Sequence, residues 1–181
     1  NVRPARCLSP RLCPLAGKTE RDIDFVVVRE NTEGAYLGLG GTFREGWPEE
    51  MAIEEDVSTR HGAARVLRFA FSLAAKRDRK SLAMADKHNV QKHGGGLWKR
   101  AFDAIAPEFP EVAARHVFAD AAAMELVQFP ERYSVLVTNN LFGDVLSDVG
   151  AALVGGPGFA PSGSVAPGKP GLYEPVHGSA T

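Results

Sequence analysis

The sequence predicts an α/β domain built on a sheet that is at least partly parallel. Three observations carry that prediction. Short apolar runs recur along the chain, and the first of them, residues 24–30, is rich in β-branched residues. Stretches with helical spacing alternate with them, which is the pattern of strand–helix–strand units. Charged and amide side chains stand just after the strands, where such sheets collect their ligands.

The elements follow in order. Residues 1–23 hold three prolines and scattered charges, and read as a connecting segment. Asp24-Phe25-Val26-Val27-Val28-Arg29-Glu30 has the composition of a buried strand ending on a charged pair, and Asn31-Thr32-Glu33-Gly34 turns the chain after it. Glycines and alternating residues between Tyr36 and Asp56 predict an irregular hairpin or arm. Ser58 or Thr59 can cap a helix running to about Lys76, with Ala63, Val66, Leu67, Ala70, Phe71, Leu73 and Ala74 at helical spacing. Residues 81–85 form a second strand leading into Asp86-Lys87-His88-Asn89, and a helix is expected over 96–105. Residues 115–119 are a third strand ending at Asp120, and 121–128 a short helix. Residues 133–138 are a fourth strand, feeding a helix that carries Asp144 and Asp148. The stretch 155–171, with six glycines and four prolines, reads as a loop crossing between domains.

Composition narrows the possibilities. The 181 residues are 44% hydrophobic and 24% charged, ordinary for a globular protein with a real core. A net charge of -1 gives no reason to expect nucleic acid or an anionic membrane as partner, and no run is long enough to span a bilayer. Cys7 and Cys13 lack metal-type spacing and are expected to be free thiols of a reducing, cytoplasmic compartment. The chain starts without Met or signal peptide and stops after a loop, so it is expected to be a piece of a longer protein.

The chemistry centres on Asn140-Leu141-Phe142-Gly143-Asp144-Val145-Leu146-Ser147-Asp148. On a helix, Asp144 and Asp148 lie one turn apart on one face, where like charges repel unless a cation is shared. Oxygen ligands suit Mg2+ or Mn2+. The plain alternative is two solvated acids near a helix start. Arg29, Lys87, Asp120 and Asn139-Asn140 follow the other strands, so cations and carboxylates converge on one rim of the sheet.

These segments resemble the β-decarboxylating dehydrogenases, the isocitrate/isopropylmalate dehydrogenase family. The matching stretches are Asn1-Val2-Arg3-Pro4, 28–36, Asp86-Lys87-His88-Asn89-Val90, Asp120, 140–148 and Glu174-Pro175-Val176-His177-Gly178-Ser179-Ala180, in family order over nearly the whole chain. The resemblance implies an isopropylmalate dehydrogenase-like α/β/α sandwich with a β arm, part of a two-domain subunit. Residues 1–155 would supply most of the substrate, metal and dimerisation domain. Residues 156–181 would return into a cofactor domain that is largely missing.

The implied reaction is oxidation of a 2-hydroxy acid bearing a 3-carboxylate, with loss of CO2. NAD is the expected oxidant, with NADP left open, and Mg2+ or Mn2+ assists. In the resemblance Asp144 and Asp148, with Asp120 of the partner subunit, are metal ligands. Arg3 and Arg29 clamp substrate carboxylates, Lys87 accepts the hydroxyl proton, and Tyr36 protonates the enolate. Asn89, Glu174, His177, Gly178, Ser179 and Ala180 fall on the cofactor side. Lys87 and Asp120 would serve the other subunit's site, which implies a homodimer. The stretches 36–41 and 46–50 resemble isopropylmalate and tartrate types, so 3-isopropylmalate is the expected substrate. Tartrate/malate-type or isocitrate/homoisocitrate-type substrates, or a non-catalytic fragment or subunit, are the alternatives.

Overall fold

The computed structural model describes residues 1–166 and 168–176. Seven strands share one sheet: β1 (Val2–Arg6), β2 (Asp24–Arg29), β5 (Ser81–Asp86), β6 (Ala113–Phe118), β7 (Val135–Thr138), β8 (Pro161–Ser164) and β9 (Leu172–Pro175). Their order is β6-β5-β7-β2-β1-β8-β9. The first four of that order are mutually parallel, with Asp86 opposite Phe118, Ala85 opposite Thr138 and Arg29 opposite Thr138. From β2 outward through β1, β8 and β9 every pairing is antiparallel.

Helices cover both faces, as the strand patterning requires. Val26 and Val28 point one way and Phe25 and Val27 the other, because side chains alternate along a strand. The first face packs under α1 (Arg60–Ala75) and α2 (Gly94–Ile105), with Leu67, Phe71, Trp98 and Phe102 buried against Leu82, Met84 and Val137. The second packs under α3 (Ala119–Gln128) and α4 (Asn140–Leu153), whose Ala122, Leu126 and Leu146 meet Ala83, Ala85 and Leu136. The expected arm is present: β3 (Gly40–Phe43) and β4 (Met51–Glu54) form a separate two-stranded hairpin, exposed at every residue.

Two expectations need correction. Residues 1–23 are not merely a connector, because Val2–Arg6 is a strand inside the sheet, with Arg3 opposite Val27 and Pro4 opposite Val26. Pro4 disguised it; its missing N–H is tolerated because β8 meets β1 only at Val2, leaving that side of Pro4 without a ladder to satisfy. The stretch 155–171 likewise contains β8, held by β1 and β9 rather than by any apolar alternation of its own. Smaller shifts occur at helix starts, where α2 begins within the glycine run at Gly94 and α3 begins at Ala119.

Candidate active site

Arg29 ends β2 with its side chain buried, and α4 starts beside it. Asn139 caps α4 by accepting from the Phe142 amide at 3.0 Å, which aims the first turn at the end of the sheet. Gly143 then opens the path for Arg29: a Cβ there would fall 2.6 Å from Arg29 Cγ and 2.8 Å from its Cβ. Through that gap Arg29 Nε donates to Asn140 Oδ1 at 2.8 Å, and Nη1 donates to Asp144 Oδ1.

Asp144 is the hub. Arg3, on the neighbouring strand β1, donates from Nη1 to Asp144 Oδ1 at 3.0 Å and to Ser147 Oγ at 2.8 Å. Asn1 Oδ1 accepts from Arg3 Nε at 3.0 Å. The Tyr36 hydroxyl donates to Asp144 Oδ2 at 2.6 Å, and its ring lies under the Arg29 guanidinium, 4.9 Å from centroid to Cζ. Asn140 Nδ2 donates to the Glu33 carbonyl at 2.7 Å, which ties the loop carrying Tyr36 to α4. Gly34, at φ +86°, makes the turn in that loop.

The electrostatics follow from these contacts. Burial works to raise the Asp144 pKa, but the Tyr36 hydrogen bond and the Arg29 and Arg3 charges outweigh it and hold the carboxyl below its ordinary value. The same hydrogen bond to Asp144, helped by burial, pushes the Tyr36 phenol upward against the opposing Arg29 charge. Tyr36 is therefore a protonated donor, half exposed and set between a carboxylate and a guanidinium.

A second group stands at the ends of β5 and β6. Lys87 Nζ pairs with Asp120 Oδ1 at 2.5 Å and lies 5.6 Å from the Phe118 ring centroid. The hydrogen bond from Lys87 holds the exposed Asp120 carboxyl below its usual range. Among the described residues no hydrogen bond or ion pair joins this group to the Asp144 cluster. Asp148 lies exposed one turn beyond Asp144, and no hydrogen bond or ion pair engages it among the described residues. Asn89 is exposed beyond β5, and Glu174 is exposed on β9. His177, Gly178, Ser179 and Ala180 lie outside the described residues.

The chain thus brings Arg3, Arg29, Tyr36 and Asp144 together and pairs Lys87 with Asp120 elsewhere. Reading the sequence put Asn140 on the converging rim without a role and assigned nothing to Gly143 or Ser147, although all three lie within the segment singled out. Their offsets from Asp144, at -4, -1 and +3 on a helix, were the available signal.

The isocitrate/isopropylmalate dehydrogenase family model matches residues 1–181. This chain belongs to that family. As a member of the isocitrate/isopropylmalate dehydrogenase family it is 49% identical over 182 residues to a 3-isopropylmalate dehydrogenase from Streptomyces griseus. It is 52% identical over 182 residues to one from Corynebacterium glutamicum. Each alignment covers 99% of this chain and 52% or 53% of the relative, so the chain spans about half the length of these curated relatives. Among solved structures, isocitrate dehydrogenase from Methylococcus capsulatus superposes with a TM-score of 0.87 at 37% identity, over 99% of this chain and 51% of that one. The TT0538 protein from Thermus thermophilus gives 0.87 at 41% identity, over 99% of this chain and 34% of the other. The family member's α/β sheet with helices on both faces is the architecture expected from its sequence.

Proposed function

We propose that this family member supplies the substrate and metal half of an oxidoreductase for a 2-hydroxy acid bearing a 3-carboxylate. The substrate is 3-isopropylmalate and the oxidant NAD, or NADP. The observation that carries the reading is the convergence of Arg3, Arg29 and Tyr36 on Asp144, with Asp148 one turn away and unpaired among the described residues. The printed names of the curated relatives favour 3-isopropylmalate within the class.

The residues divide the chemistry. Arg3 and Arg29 present guanidinium donors suited to carboxylates, so they hold the acid and orient the carbon that loses hydride. Asp144 and Asp148 offer an oxygen-only donor set that fits Mg2+ or Mn2+, with Asp120 of the partner subunit as a third ligand. A divalent ion held there would polarise the substrate oxygen during oxidation and CO2 loss. Lys87, in the partner's site, accepts the hydroxyl proton as hydride leaves for the nicotinamide. Tyr36, poised as a protonated donor, returns a proton to the enolate carbon.

Asn89 and Glu174, with the sequence stretch 177–180, are assigned to the cofactor in this reading. Residues 1–155 form the substrate and dimerisation portion, and 156–181 lead toward the cofactor-binding portion. Dimerisation is supported by exposed apolar side chains: Phe43, Trp47, Met51 and Ile53 around the arm, and Met124, Val127, Leu141 and Val145 on α3 and α4. A two-stranded hairpin is marginal alone, so the arm needs a partner surface. No helix among the described residues is long and apolar enough to cross a membrane. The free thiols of Cys7 and Cys13 fit a reducing, cytoplasmic setting.

The test is NAD+ reduction with Mn2+ and 3-isopropylmalate, tartrate, malate or isocitrate. It is run on the 181-residue chain and on the complete gene product. Turnover is expected from the complete product, highest with 3-isopropylmalate, and none from the chain alone. A complete product inert toward all four acids refutes the assignment.

A further inference from the structure

Asp86 closes β5 with a side chain only 4% exposed, yet no lysine or arginine among the described residues pairs with it. Its charged-group neighbours are imidazoles. His88 Nδ1 lies 2.9 Å from Asp86 Oδ1 and 3.2 Å from Oδ2, and His116 Nε2 lies 2.7 Å from Oδ1. The His88 amide adds a longer contact of 3.3 Å. Lys87, next in sequence, is committed to Asp120. Burying a carboxylate without a positive partner is costly, so this position calls for a proton on an imidazole or a bound cation.

The geometry favours a shared ion. In the parallel β5–β6 register Met84 stands opposite His116 and Asp86 opposite Phe118, so Asp86 and His116 project from the same face of adjacent strands. The two imidazole rings lie 4.8 Å apart, and both pack on the Phe118 ring, at 5.2 and 5.1 Å. The first turn of α2 presses on the third member: a Cβ on Gly95 would sit 2.8 Å from His88 Cα. One ligand atom from each of Asp86, His88 and His116 lies within 4.8 Å of the others.

We propose that Asp86, His88 and His116 bind a transition-metal ion of the Zn2+ class, at a site separate from the aspartates of α4. Two imidazole nitrogens and one carboxylate oxygen suit Zn2+, Co2+ or Ni2+ and not Mg2+, which prefers oxygen and water. Tetrahedral bonds of about 2.0–2.1 Å would separate the ligand atoms by roughly 3.3 Å. The observed hydrogen-bond spacings therefore need to open by about half an ångström, within reach of a small ring rotation. The His88 side chain is 30% exposed, which leaves water the fourth position and the ion a route in. Each imidazole turns a lone pair toward the ion and carries its proton on the outer nitrogen, so binding needs no oxidant or other reactant. Bound there, the ion ties the end of β5 to β6 through Asp86 and His88, which flank Lys87, and His116, which stands four residues before Asp120.

The measurement is an imidazole 15N spectrum of the purified protein, titrated with Zn2+ and separately with Mg2+. Equimolar Zn2+ is expected to shift the inward nitrogens of His88 and His116 and leave His61 and His93 in place, whereas Mg2+ moves none of them. Co2+ should give the strong visible absorption of a tetrahedral nitrogen-containing site, displaced by Zn2+. Removing even a supporting partner of a metal ligand costs roughly 10–100-fold in affinity, so His88→Ala and His116→Ala should each weaken Zn2+ binding at least about tenfold. Unshifted His88 and His116 nitrogens, or variants binding Zn2+ as tightly as the parent, would overturn the site. The unmodified protein carries the spectral test, so a variant that fails to fold does not spare the proposal.

Discussion

At the residue scale, Tyr36 and Asp144 fix each other's protonation states, the phenol keeping its proton and the carboxylate staying without one. The Tyr36 hydrogen bond is the foremost influence lowering the Asp144 pKa from its ordinary value of 3.8, and the Asp144 contact is the foremost influence raising Tyr36 from 10.0. A depressed carboxyl contributes stability above its ordinary pKa and loses it as pH falls through the folded value. A raised phenol contributes below its ordinary pKa and loses it as pH rises through the folded value. Tyr36→Phe should therefore bring the Asp144 pKa upward and remove the phenol's alkaline contribution. Carboxyl 13C titration checks the first, and denaturant midpoints across alkaline pH check the second. An unmoved Asp144 titration would mean that Arg29 and Arg3 alone set its charge. These roles were only partly legible in the sequence. Arg3 and Tyr36 acquired functions through family resemblance, because nothing in their local pattern separates them from a surface arginine and a loop aromatic. Long-range packing across 141 and 108 positions of chain is what brings them to Asp144.

At the element scale, α4 is shaped by glycines that admit neighbours. Gly143→Ala should cost stability, because the new Cβ meets the stem of a buried arginine rather than a flexible tip. Overpacking costs about 1–3 kcal/mol and the gain in helix propensity is at most about 1 kcal/mol, so the strain wins. Gly96→Ala in α2 provides the contrast, since its Cβ would meet only the mobile Arg100 Nη1 at 3.3 Å, and the propensity gain should dominate. Opposite signs in thermal denaturation are the expected outcome; two gains would show that Arg29 moves aside freely. The same scale explains which elements could be read in advance. The four parallel strands and their helices carry their own periodicity, as Val135–Thr138 and the buried stripe of α1 illustrate. β1 and β8 do not: Pro4 breaks one pattern and glycine empties the other, and both become strands only through their sheet neighbours. The start of α2 was hidden for a related reason, since His93 makes no side-chain cap and three glycines follow it.

At the scale of the whole molecule, the proposed sharing of the site between subunits predicts assembly. Lys87 and Asp120 pair with each other at one end of the sheet while Arg3, Arg29 and Tyr36 gather on Asp144, and no polar contact links the two groups among the described residues. A single protomer that needed all of them at one substrate would be incomplete, whereas two copies can exchange the missing half. The surface agrees with exchange, because α3 and α4 pack together yet leave Met124, Val127, Leu141 and Val145 exposed. Fully burying an exposed side chain of this kind contributes about 1.5–3 kcal/mol. These half-exposed ones would add about half of that each, so the face as a whole can favour association. Sedimentation velocity should therefore find a dimer at micromolar concentration, and Val145→Lys, which puts a charge on that face without touching Asp144, should shift it to monomer. The protomer itself should keep its fold, because Val145 is already 54% exposed and lysine is a good helix former. A monomeric parent, or a Val145→Lys dimer as tight as the parent's, would move the shared site away from this face. A monomeric variant with unchanged turnover in the complete gene product would show that each subunit works alone.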